Sequence, residues 1–458
     1  MSCKKHRVAL HVSAKQASAV LLRPHTNTYH HNITISSHLN TIQSLIMSSS
    51  QQTVVFNYDV SCPFAYIAST RVQSLAARTN TRLIYRPVLL GAIYRATAAP
   101  QGAAGSASDV FNPTKKAVGQ ASMCRTLKRY KIKYNPPSEH PRKSVNALRL
   151  LYCVDGDERV KLTEKLFEAY WVTGRDVTNT SVLLEIAREC GIDGLSEDSF
   201  KDPGARKELE SATAEAIERG AFGVPGFWIE GAKWRDASGE DRVGRFFWGQ
   251  DRMHFVEATL LSLQSSTPWE DVPNLQALMP RCIPLPSYPT PTPKKTKLQF
   301  WYDFSSPWAF LGYTQVARLQ RQFPGLEIEM KPFLLGILFR EIGAPNMPMA
   351  AVSPTKAAWS RQDHADWCAW WNAMGGAREI GFQWADQFPI RTPTVLRVAI
   401  AEPGTAELLC EFVPVCKRRY GPNDDRLCLL GTQCQRLRRL RAARRSHERR
   451  LQWHRFDR

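Results

Sequence analysis

Two short stretches place a side chain with chemistry directly before a proline: Asp59-Val60-Ser61-Cys62-Pro63 and Asp303-Phe304-Ser305-Ser306-Pro307. Proline is favoured in the first helical turn, where its missing N–H would have had no partner. Cys62 and Ser306 therefore fall at helix starts. Unpaired backbone N–H groups and the positive end of the helix dipole stabilise an anion there, so the Cys62 thiol is expected to have a lowered pKa. Cys62 is the candidate catalytic residue, and Ser306 offers a hydroxyl at the corresponding place. The other reading of Cys62 is a small buried hydrophobe. Ser61 and Ser305 are expected to cap the helices. Position 65 is alanine, so the resolving cysteine three residues on is absent and the turn does not read as a two-cysteine dithiol, and the scattered histidines offer no metal-ligand spacing.

The elements that must carry these turns are legible nearby. Thr53 to Tyr58 is a β-rich run ending at Asp59, Pro63 opens a helical pattern with Ile67, Val72, Leu75 and Ala76 on one side, and Leu83 to Leu90 reads as a second strand. This is a βαβ opening with Cys62 at the carboxyl end of the first strand. A helical region from about Thr114 to Ala221 follows, with a cap expected at Thr180. Strands are then expected at Phe222 to Glu230 and Val243 to Trp248, and a closing helix from about Asp251 to Leu263.

The opening recurs. Tyr58 to Ile67 returns as Tyr302 to Leu311, Pro87-Val88-Leu89-Leu90-Gly91 as Pro332-Phe333-Leu334-Leu335-Gly336, and Pro113-Thr114-Lys115 as Pro354-Thr355-Lys356. Three matches in one order with drifting spacing indicate a duplicated domain with loop insertions. Eight prolines between Pro268 and Pro293 separate the copies and read as an extended spacer. The expected organisation is a basic extension or transit segment at 1–52, a complete domain at 53–265, a Pro-rich linker at 266–296, a truncated second copy at 297–409 and an Arg-rich irregular tail at 410–458.

Composition constrains the partners. The net charge of +19 over 458 residues is concentrated at the ends: five basic and no acidic residues lie in 1–52, and residues 417–458 contribute a further excess of ten. The body between them needs no nucleic-acid explanation. No run of 18 apolar residues marks a membrane span, and the eleven cysteines are too scattered for a disulfide scaffold. No nucleic acid and no membrane are expected as partners, and the compartment is expected to be reducing, cytoplasmic or mitochondrial.

The turn Asp59-x-x-Cys62-Pro63, the strand Gly223-Val224-Pro225-Gly226-Phe227-Trp228 and the segment Phe247-Trp248-Gly249-Gln250-Asp251-Arg252, in order around a helical insert, resemble the DsbA-like thioredoxin family. Within it they are similar to the branch of kappa-class glutathione transferases and 2-hydroxychromene-2-carboxylate isomerases. The resemblance implies an α/β thioredoxin-like fold with a helical insert, here duplicated, and glutathione as cofactor. It implies a Val224-Pro225 cis peptide whose exposed backbone pairs with the cysteinyl residue of glutathione. Gly249, Gln250 and Asp251 would hold its glutamyl end, although Asp251 can equally be a helix N-cap, and Lys115 would hold a carboxylate or be merely solvated. The family's usual serine before the proline is kept as Ser306 and replaced by Cys62 in the first copy. Its Gly-Asn after the second strand is replaced by Ala98-Ala99. The second copy has no match to Val224-Pro225 or to Gly249-Gln250-Asp251-Arg252.

The leading expectation is thus a glutathione-dependent transferase or cis-trans isomerase acting on a small aromatic or electrophilic molecule. The alternatives are a monothiol glutathione-linked oxidoreductase using Cys62 and a non-catalytic thioredoxin-like binding protein. Because family members are often dimers, a homodimer or dimer-like docking of the two copies within one chain is also expected.

Overall fold

The computed structural model describes residues 51–102, 105–106, 109–236, 238–278, 295–375, 379–385 and 388–401. The basic extension up to residue 50, most of the Pro-rich stretch, and everything beyond 401, including the Arg-rich tail, lie outside the described residues.

The first unit is built on a four-stranded sheet of order β2-β1-β3-β4. β1 (Thr53–Tyr58) runs parallel to β2 (Arg82–Pro87), with Thr53 opposite Arg82 and Tyr58 opposite Pro87, and α1 (Pro63–Arg78) makes the crossover. β3 (Gly226–Arg235) pairs antiparallel with β1, and β4 (Asp241–Trp248) antiparallel with β3. Six helices intervene between β2 and β3: α2 (Leu90–Ala96), α3 (Pro113–Tyr130), α4 (Val145–Leu151), α5 (Gly156–Trp171), α6 (Thr180–Glu189) and α7 (Pro203–Glu218). α8 (Met253–Ser265) follows β4. β1 is buried on both faces, as a central strand covered by helices must be. Val54, Phe56 and Tyr58 face the core that α5 completes with Leu162, Leu166 and Phe167. This is the thioredoxin-like α/β arrangement with a helical insert.

Several boundaries differ from expectation for local reasons. β3 begins at Gly226 rather than Phe222, because Pro225 has no N–H to give a ladder. Asn179, not Thr180, caps α6, its side chain accepting from the Ser181 N–H. The Pro-rich stretch is not spacer throughout: Trp269, Val272 and Leu275 sit among its first prolines, and Trp269 stacks on Phe255 at 5.3 Å while Val272 and Leu275 are buried. Its last described residues form the short α9 (Leu275–Leu278).

The second unit repeats the opening. β5 (Thr296–Tyr302) and β6 (Leu326–Pro332) form a parallel pair, bridged by α10 (Pro307–Thr314) and α11 (Val316–Gln322), and α12 (Leu335–Glu341), α13 (Pro354–Ala373) and α14 (Pro393–Ala401) follow. Among the described residues its sheet has only these two strands, and Leu298 and Trp301 on β5 are exposed.

The two units touch through α13. α3, which opens with the same Pro-Thr-Lys, buries none of its residues, whereas α13 buries five. Trp370 is fully buried among His254, Phe255 and Trp269, with ring centroids 4.8, 5.4 and 6.1 Å away. Asp363 receives a two-pronged hydrogen bond from the Arg252 guanidinium at 2.6 and 2.8 Å, and Asp366 pairs with Arg245.

Candidate functional site

Asp59 organises the turn. Its buried carboxylate accepts from the Ser61 N–H (2.9 Å), the Ser61 hydroxyl (2.8 Å) and the Leu90 N–H (3.0 Å), and from the Ser144 side chain. Burial raises the Asp59 pKa against the pull of these donors. The constellation recurs at Asp303, which accepts from the Ser305 N–H (2.9 Å), the Leu335 N–H (2.8 Å) and the Thr392 hydroxyl (2.8 Å). Ser144 and Thr392 were not singled out in the sequence. They follow the corresponding cis pairs His140-Pro141 and Phe388-Pro389 by the same three residues, which is the signal that would have found them.

The helix starts then differ between the units. Ser306 is the N-cap of α10, its hydroxyl accepting from the Ala309 N–H at 3.2 Å. Cys62 holds the same position on α1 without a side-chain cap bond. Ser61, expected as a cap, instead gives both its donors to Asp59. The Cys62 thiol is almost fully buried and donates to the Val224 carbonyl at 3.3 Å. The peptide bond between Val224 and Pro225 is cis. Burial pushes the Cys62 pKa up to about 12, outweighing the lowering by the Ala65 and Phe64 N–H groups. The expected low pKa is therefore corrected. The helix end acts as anticipated, but desolvation of a thiolate sealed under Val224 is the larger effect.

Tyr94 and Tyr134 lie close enough to Cys62 for its charge to matter to both, and burial raises both phenols, that of Tyr134 to about 12. Tyr134 stacks on Trp171 at 5.6 Å, and the Trp171 indole donates to the Val60 carbonyl at 2.8 Å. Neither tyrosine is legible as a site residue in the sequence, because Tyr94 on α2 and Tyr134 beyond α3 meet the turn only in the fold. Ala98, in the family's Gly-Asn position, sits at φ +52, a left-handed conformation that suits glycine or asparagine better.

The segment after β4 is brought beside the same turn. The Gly249 N–H donates to the Pro225 carbonyl at 2.9 Å, and Gly249 adopts φ +102, where an added Cβ would lie 2.6 Å from an Asp251 carboxylate oxygen. Asp251 accepts from Arg252 at 2.6 Å. It caps no helix, since α8 starts only at Met253 after a 3-10 turn spanning Gln250–Arg252. The Gln250 side chain, expected to face a cofactor, turns its carbonyl to Arg71 instead (2.6 Å), and Arg71 also donates to the Gln250 backbone carbonyl (2.9 Å). Gln250 thus shapes the turn. Behind it, between α1 and α8, lies a cavity of about 290 Å³ lined by Arg71, Arg78, Asp251, His254 and Glu257 among others. Arg71 is nine residues along α1 from Cys62, about 13 Å away, so this cavity adjoins Asp251 and not the thiol.

Lys115 is exposed at the start of α3, its ammonium 4.5 Å from the Phe111 ring centroid and with no carboxylate partner among the described residues. Ser306 belongs to the second unit, which among its described residues supplies no counterpart of Val224-Pro225. The structure thus brings together Cys62, Val224, Pro225, Gly249 and Asp251, and leaves Ser306 apart from them. Among the described residues no group of three or more His, Cys, Asp or Glu could hold a metal ion.

Comparison with known proteins agrees with this architecture. The family described as DSBA-like thioredoxin domain matches residues 53–261 and again 297–374, the second stretch suggesting a second copy. A 2-hydroxychromene-2-carboxylate isomerase of Sphingobium xenophagum is 26% identical over 216 residues, covering 46% of this chain and 98% of that protein. Among solved structures, a 2-hydroxychromene-2-carboxylate isomerase superposes with a TM-score of 0.39 at 21% identity, covering 47% of this chain and 97% of the other. A probable DsbA oxidoreductase from Streptomyces coelicolor gives 0.37 at 17% identity, covering 48% and 92%.

Proposed function

The chain belongs to the DsbA-like thioredoxin family, and from that premise we propose that its first unit is a glutathione-dependent isomerase or transferase acting on a small aromatic or electrophilic molecule. The sequence similarity to a 2-hydroxychromene-2-carboxylate isomerase, over almost the whole of that enzyme, supports the isomerase form.

The residues present fit glutathione. Val224 offers a backbone carbonyl at the cis-proline turn, already in hydrogen-bond contact with the Cys62 thiol. Asp251 carries an exposed carboxylate for an ammonium group, and Lys115 an exposed ammonium, with no carboxylate partner among the described residues, for a carboxylate. When bound, glutathione would supply a thiol able to add reversibly to an electrophilic carbon. The chain's own part is to bind, to orient and to hold protons. Val224 would align the cysteinyl backbone as an added strand would. Once the cysteinyl backbone engages the Val224 carbonyl, Cys62 would turn its single S–H from that carbonyl to the neighbouring sulfur, favouring the charged form of that sulfur by hydrogen bonding. Burial raises the phenols of Tyr94 and Tyr134, both of which feel the charge of Cys62.

The observation that carries this reading is the state of Cys62: a buried thiol held protonated and directed at Val224 suits a donor and disfavours a nucleophile. It weighs against monothiol redox chemistry at this residue. The test is Cys62→Ser in the full chain. Glutathione-dependent isomerisation or conjugation should be kept or raised. Loss of that activity, together with thiol-disulfide turnover by the unaltered chain that the variant lacks, would favour the oxidoreductase instead.

A further inference from the structure

The start of α13 lies against two aromatic residues that flank the proposed glutathione site. Phe222 directly precedes Gly223-Val224-Pro225, and Trp248 directly precedes Gly249-Gln250-Asp251. Trp359 of α13 packs on both, at 5.5 and 5.2 Å between centroids. One turn earlier, the Lys356 ammonium lies 5.0 Å from the Trp248 ring centroid and 6.0 Å from that of Phe222. Further along the same helix, the Asp363–Arg252 and Asp366–Arg245 pairs pin α13 in place.

Lys356 is half-buried and has no carboxylate partner among the described residues, and the same is true of exposed Lys115. The two lysines end the same Pro-Thr-Lys motif, one in each unit. Burial lowers the Lys356 pKa, and the charge of Lys115 lowers it further. A half-buried ammonium without a counter-ion is unfavourable until an anion joins it.

We infer that Lys356 of the second unit, held beside Phe222 and Trp248, provides a carboxylate-binding end to the first unit's site, so that the second unit completes it. The inference rests on the reading of that site as a glutathione site. The carboxylate could be the glycyl end of glutathione or one carried by the aromatic substrate.

Calorimetry on the full chain separates these sources. Glutathione, its glycyl monoethyl ester, and cinnamate or cinnamamide in saturating glutathione are titrated into the unaltered chain, Lys356→Met and Lys356→Arg. A charged, partly buried contact predicts a roughly tenfold weakening. If Lys356→Met weakens glutathione but not its ester, the glycyl carboxylate is the ligand group. If it weakens cinnamate but neither glutathione nor cinnamamide, the substrate supplies it. Lys356→Arg should preserve either pattern. Equal loss for acid and neutral counterpart, as a packing defect would give, or no change in any titration, overturns the inference. No glutathione binding by the unaltered chain would sink the proposed function as well, whereas binding indifferent to Lys356 sinks this inference alone.

Discussion

Cys62 should be unreactive for a thiol at the start of a helix. Two effects oppose each other there. The backbone N–H groups of Phe64 and Ala65 favour the thiolate, while its removal from water disfavours it and the nearby Asp59 charge adds to the penalty. Burial is the largest contribution and moves the pKa from 9.0 to about 12. Three pH units correspond to about 4 kcal/mol and a thousandfold smaller thiolate fraction at neutral pH. Exposed Cys124 in the same chain is the internal reference. Iodoacetamide labelling is followed peptide by peptide from about pH 6 to about pH 10, with the Cys124 rate as the reference at each pH. Cys62 should react about a thousandfold more slowly, without an inflection in that range. In urea, where the site is gone, the two rates should converge. An inflection for Cys62 at or below about 8.5 in the folded chain would refute the dominance of burial and return the residue to the nucleophile reading.

Two further outcomes follow from the contact between the units. Asp363→Ala leaves Arg252 buried with, among the described residues, exposed Asp251 as its one carboxylate partner, so stability should fall by about 3 kcal/mol, the lower end for a broken buried pair, read from urea midpoints; a loss under about 1 kcal/mol would mean that the pair is solvated. His254, buried against Trp367 and Trp370, has its pKa lowered to about 3 by burial and by the charges of Arg252 and Arg71, so it stays neutral when folded and takes up a proton near 6.5 when unfolded. Its contribution is therefore fully present above pH 6.5 and is lost as the pH falls towards 3, at about 1.4 kcal/mol per pH unit, a slope that His254→Gln should remove.

What could be read in the sequence was what local rules determine. β1 is a β-branched and aromatic run, Pro63 marks a helix start, and both fall where expected. The repeat was visible because Asp59 and Asp303 keep the same neighbours. Its fourth match, Ser144 with Thr392, was hidden by a change of hydroxyl residue and by loops of different length before it. The ionisation of Cys62 is only half legible, because the helix-end effect is local, whereas the burial that overrides it forms with the folded core, including Val224, 162 residues away. Lys356 could not be connected with the site from the sequence, since only the packing of α13 on Phe222 and Trp248 brings it there. The Pro-rich stretch misled because its proline count outweighed Trp269, Val272 and Leu275, whose burial decides how its first third packs.

The proposed glutathione site in the first unit is tested most directly by titrating the full chain with reduced glutathione in a calorimeter. Saturable binding with one site per chain is the expected result, weakened by Asp251→Ala and retained by Cys62→Ser. Heats that never saturate, or binding untouched by Asp251→Ala, would contradict it.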